Sequence, residues 1–431
     1  MLLEFRTKNF KSFKEEMVFK MTPAQKIKGL EYSLIKKNAK NKEYKALPTA
    51  VIYGPNSSGK SNIISAIEVF RAIVLRGNIK DTENNSNLNV AIDRLSIIPN
   101  IESNEDDPVY FYIKFITENL LIEFSLKFKI GKFMRMDYDR EILEEELKIN
   151  DKLIYNRSDK INIKNIDSIK EYLIENFKEE IVESIYEGNV DNKELFFNVF
   201  FKTLYSKKIF DIIYNWFENN LEIIYRSDRV HSAPVLSQAD ASKKFYVDKI
   251  IDKVAKRFGT ISDNIAYPIS EKKDEIKPVS LIKSKNDNKG IVISSEVFES
   301  LGTVRLMDIF PMIYIAIKKG NILIVDELDI SLHPMAIMNI IRIFQNDEIN
   351  KKGAQLIFNT HNPIFLNKNL LRRDEIKFIE KKENSSIHYS LSDFGTTGEK
   401  GVRKEESYMK NYFINKYGAI NDIDFSDIFE E

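Results

Sequence analysis

The stretch Gly54 to Ser61, GPNSSGKS, satisfies the pattern G-x-x-x-x-G-K-[ST]. Glycines let a backbone wrap closely around phosphate, and successive N–H groups at a helix start form a nest for an anion. Lys60 is then placed to reach the β- and γ-phosphates of a nucleotide, and the Ser61 hydroxyl to coordinate Mg²⁺. A second constellation is ILIVDE, Ile322 to Glu327, an apolar run delivering two adjacent carboxylates to its carboxyl end, where ligands bind in open α/β sheets. Asp326 could hold Mg²⁺ directly or through water, and Glu327 could orient or deprotonate an attacking water. The same acids would also serve as a helix cap or a surface salt bridge. His361 ends the run AQLIFNTH. A neutral imidazole there could contact the third phosphate or the water, although a lone histidine equally fits a structural role. Finally, Ser300, Gly302 and Thr303, with Arg305, stand at another loop-to-helix start. That is either an ordinary N-cap or a second anion site, one that would serve a phosphate bound by another copy of the chain.

The surrounding periodicity says what must position these groups. Thr49 to Tyr53 reads as a strand entering the glycine-rich loop, and NIISAIEVFRAIVL has helical spacing. Leu2 to Phe19 alternates like a hairpin around Phe10 to Ser12, and Asn78 to Asn89 reads as a surface loop. Between Pro108 and Leu153 three segments alternate in period two, predicting an antiparallel sheet inserted after the first helix. Helical spacing follows in Glu171 to Glu187, KELFFNVFFKTLYS and KKIFDIIYNWFENNLEII, whose aromatic residues read as core. PVSLIKSK and KGIVISSEVF form a hairpin across Asn286 to Asn288. A helix opened by Gly302 and Thr303, the strand ending at Glu327, the helix LHPMAIMNIIRIF and the strand ending at His361 then build the second half of an α/β core. EIKFIEKK and SIHYSLSDF add two strands. The expected division is 1–77, the first half of the core; 78–164, loop and antiparallel β subdomain; 165–277, helical insertion; 278–391, the second half of the core; and 392–431, a tail.

Composition removes whole classes of function. The chain of 431 residues carries 65 basic and 65 acidic side chains, with 43% hydrophobic and 30% charged residues, which excludes whole-chain disorder and collagen-like character. Its apolar runs are too short for a membrane span, the longest, Met307 to Ile317, being broken by Pro311. The start MLLEFRTKNFKSF lacks a secretory h-region. With zero cysteines there is no disulfide framework, thiol nucleophile or Cys-type zinc site, and a reducing, cytoplasmic setting is expected. Zero net charge provides no global field for nucleic acid, so DNA binding would need a local patch.

In this order NFKSF, GPNSSGKS, ESLGTVR, ILIVDELDISLHP and FNTHNP resemble the ABC/SMC-like ATPases, specifically the RloA/AbiLi/OLD-type bacterial branch, and the tail LRRDEIKFIEKK resembles that branch too. Both ends of the chain carry the resemblance, while roughly 78 to 290 follows only in the order of its elements. The resemblance implies an α/β fold, an ABC/SMC-like P-loop NTPase core with an antiparallel β subdomain and an inserted helical subdomain. It implies a head-to-tail homodimer, or a higher even oligomer, that sandwiches ATP and Mg²⁺. One copy holds nucleotide through Gly54, Pro55, Asn56, Ser57, Ser58, Gly59, Lys60, Ser61 and Asn62, the other through Ser300, Gly302 and Thr303. Asp326 falls on the Walker B acid, Glu327 on the catalytic glutamate, His361 on the switch histidine, Asp329 to His333 on the D-loop, and Asn9 to Phe13 on an N-terminal segment near the nucleotide.

SLGT in place of LSGGQ argues against a membrane transporter's ATPase subunit. None of Gln25, Gln238, Gln345 and Gln355 follows the strand expected before a Q-loop. OLD-type relatives carry a C-terminal TOPRIM nuclease; here residues 362–431 follow His361, and Asp422 and Asp424 lack the matching upstream glutamate-glycine element. Any nuclease, TOPRIM or RloB-like, is therefore expected on a separate effector, and the branch implies antiphage or abortive-infection defence. The alternative is a RecF/SMC-like ATPase of genome maintenance that binds DNA when closed, using lysines such as Lys272, Lys273, Lys283 and Lys285, although interspersed acids suit a solvated face.

Overall fold

In a computed structural model of the chain the described residues are 1–25, 27–80, 97–133, 139–175, 191–225, 245–269, 277–283, 290–395, 401–402, 406–421 and 425–429. The N-terminal alternation forms the hairpin β1 (Leu2–Lys8) and β2 (Met17–Lys20). A ladder of β3 (Ile35–Ala39) and β4 (Lys42–Ala46) precedes β5 (Thr49–Tyr53), and the glycine-rich loop feeds α1 (Lys60–Arg76). Five strands then meander antiparallel: β6 (Val109–Thr117), β7 (Leu120–Lys129), β8 (Glu141–Ile149), β9 (Lys152–Arg157) and β10 (Ile161–Ile163). They do not stand alone as an inserted sheet. β6 also pairs with β1, so the N-terminal hairpin completes a seven-stranded sheet in the order β10-β9-β8-β7-β6-β1-β2.

The region expected to be helical is mixed. α2 (Lys207–Asn215) is flanked by π-helical turns at Phe197–Tyr205 and Trp216–Asn220, and LEII then extends as β11 (Leu221–Ile224) instead of continuing the helix. Asn321 explains the break: its amide donates to the Asn219 carbonyl at 2.9 Å and its side-chain oxygen accepts from Asn220 at 3.3 Å, pinning the turn beside the core sheet. There the β-branched pair Ile223 and Ile224 finds ladder partners. Next come β12 (Phe245–Tyr246), α3 (Lys249–Phe258), β13 (Asn264–Pro268), β14 (Val279–Lys283) and β15 (Gly290–Ser294), whose strands form a four-stranded sheet. The expected pairing of β14 with β15 is present. Of the helix expected over Glu171 to Glu187, only Glu171 to Glu175 is described, Glu171 and Tyr172 closing a 3-10 turn. Most of the loop expected after Asn78, the turn Asn286 to Asn288, and Asp422 and Asp424 lie outside the described residues.

The remaining elements are α4 (Ser295–Phe298), α5 (Leu301–Lys319), β16 (Ile322–Val325), α6 (Pro334–Gln345), β17 (Gln355–Asn359), β18 (Ile376–Lys382), β19 (Ser385–Ser390) and α7 (Tyr408–Phe413). The core sheet runs β11-β16-β17-β5-β18-β19, parallel except for the last pair. Its central strands are fully buried because period-two alternation sends both sets of side chains into apolar layers. Ala50, Ile52, Ile322, Ile324 and Ile357 face the layer containing α1 and the seven-stranded sheet, while Val51, Tyr53, Leu323, Val325 and Phe358 face α5 and α6. Sandwiched between two sheets, α1 buries residues around most of its circumference. Gln355 ties the layers at the first strand: its side chain accepts from Leu2 N at 2.6 Å and donates to the carbonyls of Leu2 and Leu47, both at 3.0 Å.

Candidate nucleotide site

Three adjacent parallel strands decide the site. β17 lies between β16 and β5, so the acids after β16, the Asn-Thr-His after β17 and the glycine-rich loop after β5 leave the sheet side by side at its carboxyl edge. In the loop, a Cβ on Gly54 would collide with the Ile379 carbonyl oxygen. Gly59 has φ 104°, and a Cβ there would lie 2.5 Å from Ser12 Oγ and 2.6 Å from Ser386 Oγ. Asn56 and Ser57 form the exposed tip, Pro55 is half-buried, and Ser57 also adopts a left-handed backbone, φ 61°. Ser58 is buried, and its Oγ has no hydrogen-bond partner within the protein. Lys60 is buried and donates to the carbonyls of Gly54 and Pro55 at 2.9 Å each. Burial pushes its ammonium down to about 8, with Glu327, Asp326 and Asp329 opposing that shift.

The expected metal pair is in contact: Ser61 Oγ donates to Asp326 Oδ1 at 2.8 Å. Asp326 is buried, Glu327 is half-buried, and Glu327 holds a left-handed backbone, φ 54°, uncommon for a residue with a side chain. The group that fixes them is one the sequence reading left out. Asn359, wholly buried at the end of β17, donates through Nδ2 to Asp326 Oδ1 and accepts the Glu327 N–H on Oδ1. A polar residue closing the buried apolar run Leu356 to Phe358 was the available signal. Its neighbour Thr360 donates to Asp329 Oδ2 at 2.6 Å, anchoring the segment Asp329 to His333. His361, next in line, is exposed; partial desolvation and the Lys60 charge lower its pKa, against Asp329 and Asp326.

Asn9 to Phe13 packs where the sequence expects it, against the loop. Asn9 and Lys11 both have positive φ, and Phe10 bridges to Phe13. The Ser12 hydroxyl accepts from Asn62 Nδ2 at 2.8 Å, and Lys11 Nζ donates to Ser65 Oγ at 2.5 Å. Opposite, Ser386 on β19 donates to the Ser58 carbonyl at 2.5 Å and its N–H to the Ser12 carbonyl at 2.7 Å. Ser386, also absent from the sequence expectation, thus closes the loop from the far edge of the sheet.

Ser300, Gly302 and Thr303 gather elsewhere. Ser300 caps α5, its Oγ accepting from Thr303 N at 3.1 Å and lying 2.8 Å from Thr303 Oγ1. Ser300 and Gly302, with Ser331, His333 and Phe258, line an open groove of about 720 Å³ that includes no residue of Gly54 to Ser61, and Thr303 is buried behind it. A Cβ on Gly302 would lie 2.7 Å from the Ser331 carbonyl oxygen. Arg305 is buried in α5. Of the lysines considered for nucleic acid, Lys283 is exposed at the end of β14, and Lys272, Lys273 and Lys285 lie outside the described residues. Gln345 donates to the Leu370 carbonyl and Gln355 ties β1, which gives both structural roles. Among the described residues no helix is long and apolar enough to cross a membrane.

The donor set fits a magnesium nucleotide. The two glycine positions admit no Cβ, a buried hydroxyl awaits a partner, and an ammonium lies beside a hydroxyl–carboxylate pair. No curated protein matches the chain. Among solved structures it is similar to the SMC head domain from Thermotoga maritima, at 14% identity and a TM-score of 0.37 over 90% of this chain and 98% of that one. The family model described as "AAA domain, putative AbiEii toxin, Type IV TA system" matches residues 50–367, and the chain belongs to that family.

Proposed function

We propose that this chain is an ATP-binding and hydrolysing switch of the RloA/AbiLi/OLD-type branch, closing as a homodimer around nucleotide and governing a separate nuclease-like effector in bacterial antiphage defence. The observation that carries the ATPase reading is the convergence of Lys60, Ser61, Asp326, Glu327 and His361 at the carboxyl ends of three neighbouring strands. Bound Mg²⁺ would be held by Ser61 and Asp326 and would supply charge neutralisation on the phosphates. Gly54 to Asn62 would wrap the phosphates, Lys60 exchanging its two carbonyl partners for phosphate oxygens. Glu327 would accept the proton of the attacking water, and His361, neutral, would contact the third phosphate.

The dimeric reading rests on separation and exposure. The Ser300 end of α5 lines its own groove, and the apolar side chains flanking it, Val297 and Leu301, are 77% and 72% exposed. A second copy offering Ser300, Gly302 and Thr303 to the nucleotide would cover them, and such bivalent binding provides the differential affinity that closure requires. Solution mass of Glu327→Gln with and without Mg·ATP tests this, with Ser300→Arg in the same background as control. A nucleotide-dependent doubling abolished by Ser300→Arg is expected. A monomer that binds Mg·ATP without changing mass would sink the sandwich.

A further inference from the structure

We infer that Asn359 is a positioning residue for hydrolysis, holding Glu327 where it can act as the base through one carboxamide that reads the Asp326 side chain and the Glu327 backbone together. The inference rests on the reading of Glu327 as that base. The carboxamide makes both contacts: Nδ2 donates to Asp326 Oδ1, and Oδ1 accepts from Glu327 N. The amide orientation is fixed by its partners, since a backbone N–H can only donate and demands the oxygen. The Glu327 backbone is the unusual element here. Its left-handed φ of 54° costs free energy that a glycine would avoid, and the fixed Asn359 oxygen gives the N–H of that conformation a buried partner. A carboxylate at 359 would face Asp326 with like charge, and an apolar isostere would orphan the Glu327 N–H.

The placement of Asn359 also couples the acids to the end of β17 that leads into His361. Asn359, Thr360 and His361 are consecutive; the first grips Asp326 and Glu327, the second grips Asp329 at 2.6 Å, and the third stands exposed beyond them. Displacement of His361 toward a third phosphate therefore acts on the end of the strand that holds the base.

The test uses the full chain. Steady-state ATPase and equilibrium Mg·ATP binding are measured for wild type, Asn359→Leu, Asn359→Asp and Glu327→Gln. Both Asn359 variants are expected to lose about 10- to 100-fold in kcat, as for groups that orient a catalytic residue, with KM and Kd within about threefold of wild type. Asn359→Asp adds a readout that a merely structural role does not move. It is nearly isosteric and keeps an acceptor for the Glu327 N–H while removing the donor to Asp326, so its kcat should fall while KM and Kd stay within about threefold of wild type, a split that loss of the fold does not give. An undiminished kcat in Asn359→Leu or in Asn359→Asp, or loss of Mg·ATP binding in both variants, each overturns the inference. Wild-type turnover by Glu327→Gln removes the base assignment and the inference with it, whereas an inactive Glu327→Gln beside a fully active Asn359→Leu sinks the inference alone.

Discussion

The Ser61 hydroxyl donates to Asp326 Oδ1 at 2.8 Å although 265 residues separate them. One residue opens α1 and the other leaves β16, with β17 between their strands, so the contact joins the two halves of the core at the point where a magnesium ion would sit. Asp326→Asn is expected to raise the Mg²⁺ concentration needed for nucleotide binding by about tenfold or more, and Ser61→Ala by less, because the carboxylate supplies charge and the hydroxyl only a lone pair. Titration of Mg²⁺ at fixed ATP measures both shifts. Equal Mg²⁺ requirements in wild type and Asp326→Asn would remove this acid from the metal site.

A second expectation concerns Lys60, whose ammonium burial pushes down to about 8. An unfolded lysine titrates near 10.4, so the folded chain without nucleotide binds fewer protons than the unfolded chain between those values, and this group favours folding more as pH rises through about 8. Phosphate contact favours the charged form, so nucleotide binding should take up protons near pH 8 and almost none a full unit or more below. Calorimetry in two buffers of different ionisation enthalpy reads that uptake, and Lys60→Arg should abolish it. Identical heats in the two buffers at pH 8, after correction for nucleotide ionisation, would contradict the assignment.

Gly59→Ala tests the clasp around the loop. The added Cβ meets the Ser12 and Ser386 hydroxyls, each hydrogen-bonded, at a backbone φ of 104° that an alanine rarely adopts. A destabilisation of about 1–3 kcal/mol is expected, with nucleotide binding lost because the N–H groups of the loop are displaced. Chemical denaturation and binding are read on the same preparation. Wild-type behaviour in both would show that the loop tolerates a side chain here.

How much of this was legible depends on what each signal required. The pattern at Gly54 to Ser61 and the strands ending at Glu327 and His361 are local, and their strand-to-loop geometry follows from apolar runs with a polar end. The seven-stranded sheet was half legible, since alternation reports a strand but not its neighbour, and the β1–β6 pairing joins segments about a hundred residues apart. Leu221 to Ile224 reads as helix because the apolar spacing continues across Asn219 and Asn220; the break there is fixed by Asn321, distant in sequence. Asn359 and Ser386 stayed hidden because their roles are hydrogen bonds to groups far along the chain, and no spacing rule reports those.

Away from the candidate nucleotide site, a buried carboxyl stands immediately before β18. Glu375 is wholly buried, its Oε1 accepting from Thr49 Oγ1 at 2.6 Å and its Oε2 from Arg372 N at 2.8 Å and Gln345 Nε2 at 3.3 Å. Burial pushes the carboxyl up to about 7, despite donors that favour the charged form. Its folded pKa therefore exceeds the unfolded value, so the folded chain holds the proton more tightly. The resulting stability is fully present below the unfolded value, near 4.3, and is lost as pH rises through about 7. Glu375→Gln mimics the neutral form, its amide oxygen taking the Arg372 N–H and its NH₂ group facing the Thr49 oxygen, without the titration. The variant should gain on wild type as pH is raised from about 5 to about 8, by at most roughly 3 kcal/mol at 1.36 kcal/mol per pKa unit. Urea midpoints measured in steps across that range decide it, and parallel curves for the two proteins would show that Glu375 remains ionised inside the core.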